Sequence, residues 1–183
     1  DLHAGDLPEA LEPFALYDES PVEAEAREMA IAYGLGHVVR QTRAARTVGG
    51  STSAVAADLG KPAITAESGQ NGILDRAAVD RHLAGLAGVC AHLGLLAGAP
   101  NRTARPREHE GWHWLRTPVA GWWEPVVSVG QPVAAGELIG VVGEVLGDGR
   151  REVHAPEEGV PLFVTSSPAV EADGLLMGIA RGL

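Results

Sequence analysis

The order of apolar and polar positions divides the chain into two stretches of different texture. Up to about Leu96, short β-type runs alternate with segments whose apolar residues recur every three to four positions. Asp1–Ala4, Phe14–Tyr17 and His37–Gln41 read as strands. Residues 21–33 (PVEAEAREMAIAY) predict a helix, with Ser20 as N-cap, Pro21 at the first helical position and Gly34 as terminator. Ser51–Leu59 predicts a short helix entered from Gly49 and Gly50 and closed by Gly60. Pro62–Glu67 (PAITAE) reads as a buried strand, and Asp75–Leu96 as a long helix with Asp75 as its N-cap. Strand–helix alternation of this kind implies a sheet with a substantial parallel part, covered by helices.

Residues 99–111 (APNRTARPREHEG) are polar and punctuated by proline and glycine, the composition of a linker or crossover. Beyond them the pattern turns to β: short Val/Ile/Leu runs separated by glycines and prolines. This half repeats itself at a spacing of 38 residues. Gly121 faces Gly159, Val126 faces Val164, Gly136 faces Gly174, Leu138 faces Leu176, Gly140 faces Gly178 and Val141 faces Ile179. Neither unit could bury its apolar face alone, so two copies suggest a small pseudo-symmetric barrel or sandwich. The expected organisation is an α/β part over 1–98, the linker over 99–111 and a β domain over 112–183.

Composition narrows the function classes. Of 183 residues, 45% are hydrophobic and 21% charged, an ordinary globular balance. A net charge of −10 argues against nucleic-acid binding, which needs a basic stripe to neutralise phosphates. The longest mostly apolar stretch, Leu83–Gly98, is interrupted by His92 and is too short to span a membrane. One cysteine, Cys90, excludes an internal disulfide; its place in an apolar helical pattern predicts buried packing rather than a nucleophile. With no targeting signal visible, the cytoplasm is the default compartment.

Three stretches offer chemistry. His109-Glu110-Gly111-Trp112-His113 matches H-E-x-x-H, in which two histidines on one helical face hold zinc and the glutamate polarises the attacking water. The match lies between Pro106 and Pro118, carries Gly111 at its centre and runs into β-patterned residues, so the required helix is poorly supported. His154-Ala155-Pro156-Glu157 reads as a β-turn, not a ligand pair. In Asp1-Leu2-His3-Ala4-Gly5-Asp6, His3 stands at a strand end on the same face as Asp1 and can act as a metal ligand, with Asp1 or Asp6 supporting it. In "KPAITAESGQNG" (61–72), an apolar strand ends in Glu67 just before a Gly-rich turn, the place where open α/β sheets present ligand-binding groups. Pattern alone favours the plainer reading, a solvated turn glutamate and an ordinary strand histidine.

"DLHAGDLPEALEPFALYD" and "GKPAITAESGQNGILDRAAVDRHLAGLAGVCAHLGLLAG" together resemble the succinylglutamate desuccinylase/aspartoacylase family of the zinc-carboxypeptidase superfamily. "GWWEPVVSVGQPVAAGELIGVV" and "APEEGVPLFVTSSPAVEADGLLMGIA" resemble that family's C-terminal β domain. The resemblance implies the C-terminal part of a zinc-carboxypeptidase-like α/β domain, followed by a pseudo-repeated β barrel or sandwich. It implies a Zn²⁺-dependent amidohydrolase acting on a small N-acyl amino acid or related amide, with a homo-oligomer compatible. His3 corresponds to the third zinc ligand of a His/His/Glu set, and Glu67 to the catalytic glutamate that takes a proton from the attacking water and passes it to the leaving amine.

The family's H-x-x-E ligand pair and its Asn-Arg substrate segment lie upstream of D-L-H, so the resemblance also implies that this chain alone is catalytically incomplete. The family's carboxylate-clamping arginine, about ten residues before the glutamate, falls on Ala57 here. Arg43 and Arg46, in "QTRAARTVGGST", are the nearest cationic candidates for that substrate-binding role. The competing class is a non-catalytic binding or carrier module. A carrier needs a lysine on the hairpin 143–154, and Lys61 is the chain's single lysine, so only a role in shaping an entrance or interface stays open for the β half.

Overall fold

A computed structural model describes residues 1–45, 50–98 and 105–182. In chain order the first part holds β1 (Leu2–His3), β2 (Glu9–Leu11), β3 (Phe14–Asp18), α1 (Glu23–Tyr33), β4 (His37–Gln41), α2 (Thr52–Asp58), β5 (Ile64–Glu67) and α3 (Arg76–His92). The second holds β6 (Arg107–His109), β7 (Gly111–Arg116), β8 (Gly121–Pro125), β9 (Leu138–Gly143), β10 (Arg150–His154), β11 (Gly159–Thr165), β12 (Ala169–Val170) and β13 (Leu175–Arg181). One five-stranded sheet runs β1-β5-β3-β4-β6, and two four-stranded sheets run β10-β9-β8-β12 and β2-β11-β13-β7. The fold is mixed α/β. In the first sheet β1 pairs parallel with β5, and β3 and β6 pair parallel with β4; only β3 against β5 is antiparallel.

Alternation along the strands explains how the first sheet is covered on both sides. Ala15, Tyr17, Val38 and Ala66 point into one buried cluster with Ala26, Ala30 and Tyr33 of α1. Phe14 and Val39 point the other way, into a cluster with Leu11, Trp112, Val160, Leu162 and Ala180. The first sheet thus packs directly on the β2-β11-β13-β7 sheet. A third cluster, around Trp123, Ile139, Val142, Leu176, Met177 and Ile179, fills the interior of the β half.

The stretches related by 38 residues are the antiparallel pairs β8–β9 and β11–β13. Phe163 faces Gly178 in the second as Pro125 faces Gly140 in the first. Both glycines receive an aromatic ring: a Cβ on Gly140 would stand 2.2 Å from Trp123, and one on Gly178 2.5 Å from Phe163. A bulge between Pro161 and Phe163 absorbs the one-residue difference between the two registers.

Several expectations are corrected. The first helix begins at Glu23, not Pro21, and Val22 is its N-cap. The Ser20 side chain instead accepts from the Val22 N–H at 3.3 Å, and its carbonyl accepts from Glu23, closing a turn ahead of the helix. The long helix ends at His92 instead of Leu96, because Gly94 takes φ +72° and turns the chain, leaving Leu93, Leu95 and Leu96 exposed. Cys90 is half-buried rather than buried. Of the linker, residues 99–104 lie outside the described residues. Arg107–His109 forms an edge strand of the first sheet, and Gly111 already begins β7. Among the described residues no helix is long and apolar enough to cross a membrane.

The sequence from 107 to 116 is therefore strand, and its two histidines diverge. His109 is buried and stacks on His37, with Nδ1 of His37 and Nε2 of His109 2.9 Å apart. His113 is ion-paired with Glu157. Burial, the neighbouring imidazole and Arg107 push the His109 pKa down from 6.5 to about 4, and burial and Arg107 lower His37. The unfolded chain then binds more protons than the folded one between these values, so stability rises with pH across that window. Lowering the pH from 6.5 to about 4 is expected to remove on the order of 3 kcal/mol through His109, and His37 acts in the same direction. Urea midpoints should fall over this range and fall less in His109→Phe; equal falls would assign the acid sensitivity elsewhere.

Candidate active site

β1 and β5 lie side by side in parallel, and their register sets His3 opposite Glu67 at the two strand ends. His3 Nδ1 is hydrogen-bonded to Glu67 Oε1 at 3.1 Å, and His3 Nε2 lies 3.4 Å from Asp1 Oδ2. The imidazole is half exposed, whereas the Glu67 side chain is 15% exposed. Burial raises the Glu67 pKa above the ordinary carboxylate value; His3 opposes the rise, and the charges of Glu9 and Asp6 add to it. A carboxylate with this bias is a better proton acceptor than one in water.

Glycines make the turn after Glu67 fit. Gly69 sits at φ +108°, where a side chain would be strained and a Cβ would come within 3.1 Å of Ala4. Its carbonyl accepts from the Gly5 N–H at 3.1 Å, so the turns leaving both strand ends are tied together.

His3 and Glu67 open into a cavity of about 380 Å³. Its aromatic wall comes from Phe14, Trp112, Trp114 and Phe163. Trp112 stacks on Trp114 at 4.9 Å and meets Phe14 edge-on at 5.1 Å, which holds the wall in one arrangement. The opposite side is polar. Thr65, two residues before Glu67 and on the same strand face, donates to Ser53 Oγ at 3.1 Å. Ser53 in turn donates to the buried Asp18 at 3.0 Å, and Gln41 donates to the other Asp18 oxygen at 3.2 Å. Asp6 and Glu9 also line the space; no lysine or arginine does so among the described residues.

The structure does not bring Arg43 to this cavity. Its guanidinium is ion-paired with Asp58 at 2.9 Å, and its side chain is mostly exposed. Arg46 and Gly49 lie outside the described residues. Ala57 is buried in α2. The sequence reading missed Ser53, Gln41 and Glu9; Thr65 was reachable, since a residue two before a strand-end glutamate shares its face.

Zinc requires several donors converging on one point. Here Glu67 and Asp1 occupy the two ring nitrogens of His3, and among the described residues no group of three or more His, Cys, Asp or Glu side chains is arranged to hold a metal. The donors present do not make up a zinc centre; they offer one imidazole beside one buried carboxylate.

The sequence matches no protein-family model and no curated protein. Solved structures are similar over the whole chain. A succinylglutamate desuccinylase/aspartoacylase from Rhodobacter sphaeroides matches 100% of this chain and 57% of its own, with a TM-score of 0.87 at 19% identity. The Ectoine utilization protein EutE (DoeB) from Ruegeria pomeroyi, solved with product bound, gives the same figures. An aspartoacylase family protein from Mesorhizobium loti matches 100% of this chain and 62% of its own, with a TM-score of 0.77 at 18% identity. At such identities the likeness establishes the fold. This chain spans little more than half the length of these structures.

Proposed function

We propose that this chain is the general-base half of a zinc-dependent deacylase that hydrolyses a small N-acyl amino acid or related amide. The observation that carries the proposal is the His3–Glu67 pair, 3.1 Å apart at adjacent strand ends and facing an aromatic-walled cavity large enough for a small amide. The shared fold supports it, since the similar structures include proteins described as desuccinylases and aspartoacylases.

In this reading Glu67 is the base. Its carboxylate, kept basic by burial, takes the proton of the attacking water and returns it to the departing amine. The Thr65, Ser53 and Gln41 side chains orient the polar end of the substrate, and Trp112, Trp114 and Phe163 exclude water from the reacting amide. The β half, read as a pseudo-repeated sandwich, supplies that wall and shapes the entrance. Arg46 is retained as a candidate for holding a substrate carboxylate; Arg43 would first have to leave Asp58.

In this reading His3 would serve as one metal ligand once Nε2 gives up its 3.4 Å contact with Asp1, and the other ligands would come from elsewhere in the whole protein. When bound, zinc would supply the acidity that activates water near neutral pH. Full-length protein is expected to contain zinc and to hydrolyse one or more members of an N-acyl amino acid panel, with the 183-residue chain alone inactive. In the full-length protein His3→Ala should lose most of the metal. Full zinc content in that variant, or full activity of the isolated chain, would show that the ligands lie elsewhere.

A further inference from the structure

We propose that His82 of α3 is a positioning residue, which with Tyr33 of α1 clamps together the two strand ends that carry His3 and Glu67; this rests on the catalytic reading above. His82 Nε2 lies 3.0 Å from the His3 carbonyl oxygen and 3.2 Å from the Ser68 carbonyl oxygen. Carbonyls only accept, so this nitrogen carries the proton and donates to both. The same tautomer leaves Nδ1 as an acceptor, and the Tyr33 hydroxyl lies 2.6 Å from it. One ring therefore bridges the backbone of β1 at His3 and the backbone immediately after Glu67, while Tyr33 fixes its tautomer and orientation.

Tyr33 is almost fully buried, and its ring is in place because position 85 is glycine. A Cβ on Gly85 would stand 2.2–2.5 Å from three atoms of that ring. Burial pushes the Tyr33 hydroxyl up to about 12, so it stays a donor at any working pH. His82 and Gly85 are three residues apart on one helical face, and the second makes room for the residue that aligns the first.

The clamp acts on the least supported pairing in the sheet. β1 is a two-residue edge strand, and both its residues are exposed. Besides the His82 bond, the His3 carbonyl accepts, among the described residues, from the Ser68 N–H at 3.1 Å. Without His82, the spacing between the His3 and Glu67 side chains is left to a short ladder and the Gly5–Gly69 bond.

The test uses His82→Phe, His82→Gln and Tyr33→Phe. In the 183-residue chain, amide hydrogen exchange at Ser68 and Gly5 should accelerate about tenfold or more in His82→Phe, with the β11–β13 amides unchanged. His82→Gln, which keeps a donor at the Nε2 position, should recover most of the protection, and Tyr33→Phe should fall between. In the full-length protein, kcat should drop about tenfold in His82→Phe at nearly unchanged KM, with recovery in His82→Gln. Unaltered exchange at Ser68, or acceleration spread evenly over the whole chain, would overturn the clamp. Faster local exchange with unchanged kcat would overturn the positioning role while leaving Glu67 as base. Turnover that survives Glu67→Gln would instead locate the error in the catalytic reading.

Discussion

Glu67→Gln is expected to lower kcat of the full-length protein by about 10³-fold, equivalent to about 4 kcal/mol of transition-state stabilisation. The amide is nearly isosteric and can still accept a hydrogen bond from His3, but it cannot take a proton from water. Zinc content and KM should therefore stay close to those of the unaltered protein, which separates this loss from that of His3→Ala. The pH profile gives a second signature. Burial raises the Glu67 pKa, and only the ionised form accepts a proton. Activity of the unaltered protein should thus begin to fall, as pH is lowered, at a pH above the ordinary glutamate value near 4.3. The residual activity of Glu67→Gln should lack this acid limb. Hydrolysis assays from pH 5 to 9 with parallel metal analysis decide the matter; a Glu67→Gln protein with near-normal turnover would remove the residue from the mechanism.

The largest stability effect is expected at Trp123. Its side chain is 2% exposed at the centre of the β half, over Gly140, and its indole N–H donates to the Thr165 carbonyl at 3.1 Å. Trp123→Ala should cost about 3–5 kcal/mol, because it opens a large cavity in the packed cluster that fills the β half. The adjacent Trp122 is half exposed, and its removal should cost under about 1 kcal/mol. Urea denaturation of the two variants makes the comparison. Equal losses would mean that the 38-residue repeat does not pack around Trp123 as described.

The sequence carried the elements that have strong punctuation. Gly34, Ser51, Gly60 and Asp75 mark helix ends by local chemistry that no distant contact overrides. Of the matched glycines of the β half, Gly140 and Gly178 each admit an aromatic ring and Gly121 and Gly159 a close strand, whereas Gly136 and Gly174 serve turns. Glu67 and His3 were legible as strand-end groups, though only pairing between β1 and β5 makes them neighbours. What stayed hidden was built from contacts between remote segments. Glu9–Leu11 has no strand signal of its own and becomes one through β11; His109 resembled a ligand until β6 set it against His37. The polar side of the cavity depends on Asp18, Gln41, Ser53 and Thr65 from four separate elements, and no spacing rule connects them.

β2 and β6 cross between the two parts of the chain. β2 leaves the N-terminal segment to pair with β11, with Leu11 opposite Phe163, while β6 returns from the later part to lie beside β4. Ring closure between segments about 150 residues apart is slow, because its entropy cost falls before any contact repays it. During synthesis β2 stays without its ladder until residue 165 has left the ribosome, and the wall of the cavity is among the last surfaces to assemble. A nick between residues 98 and 105 would not release two independent pieces: each would carry away a strand belonging to the other, and recovery of the native state would require them to recombine.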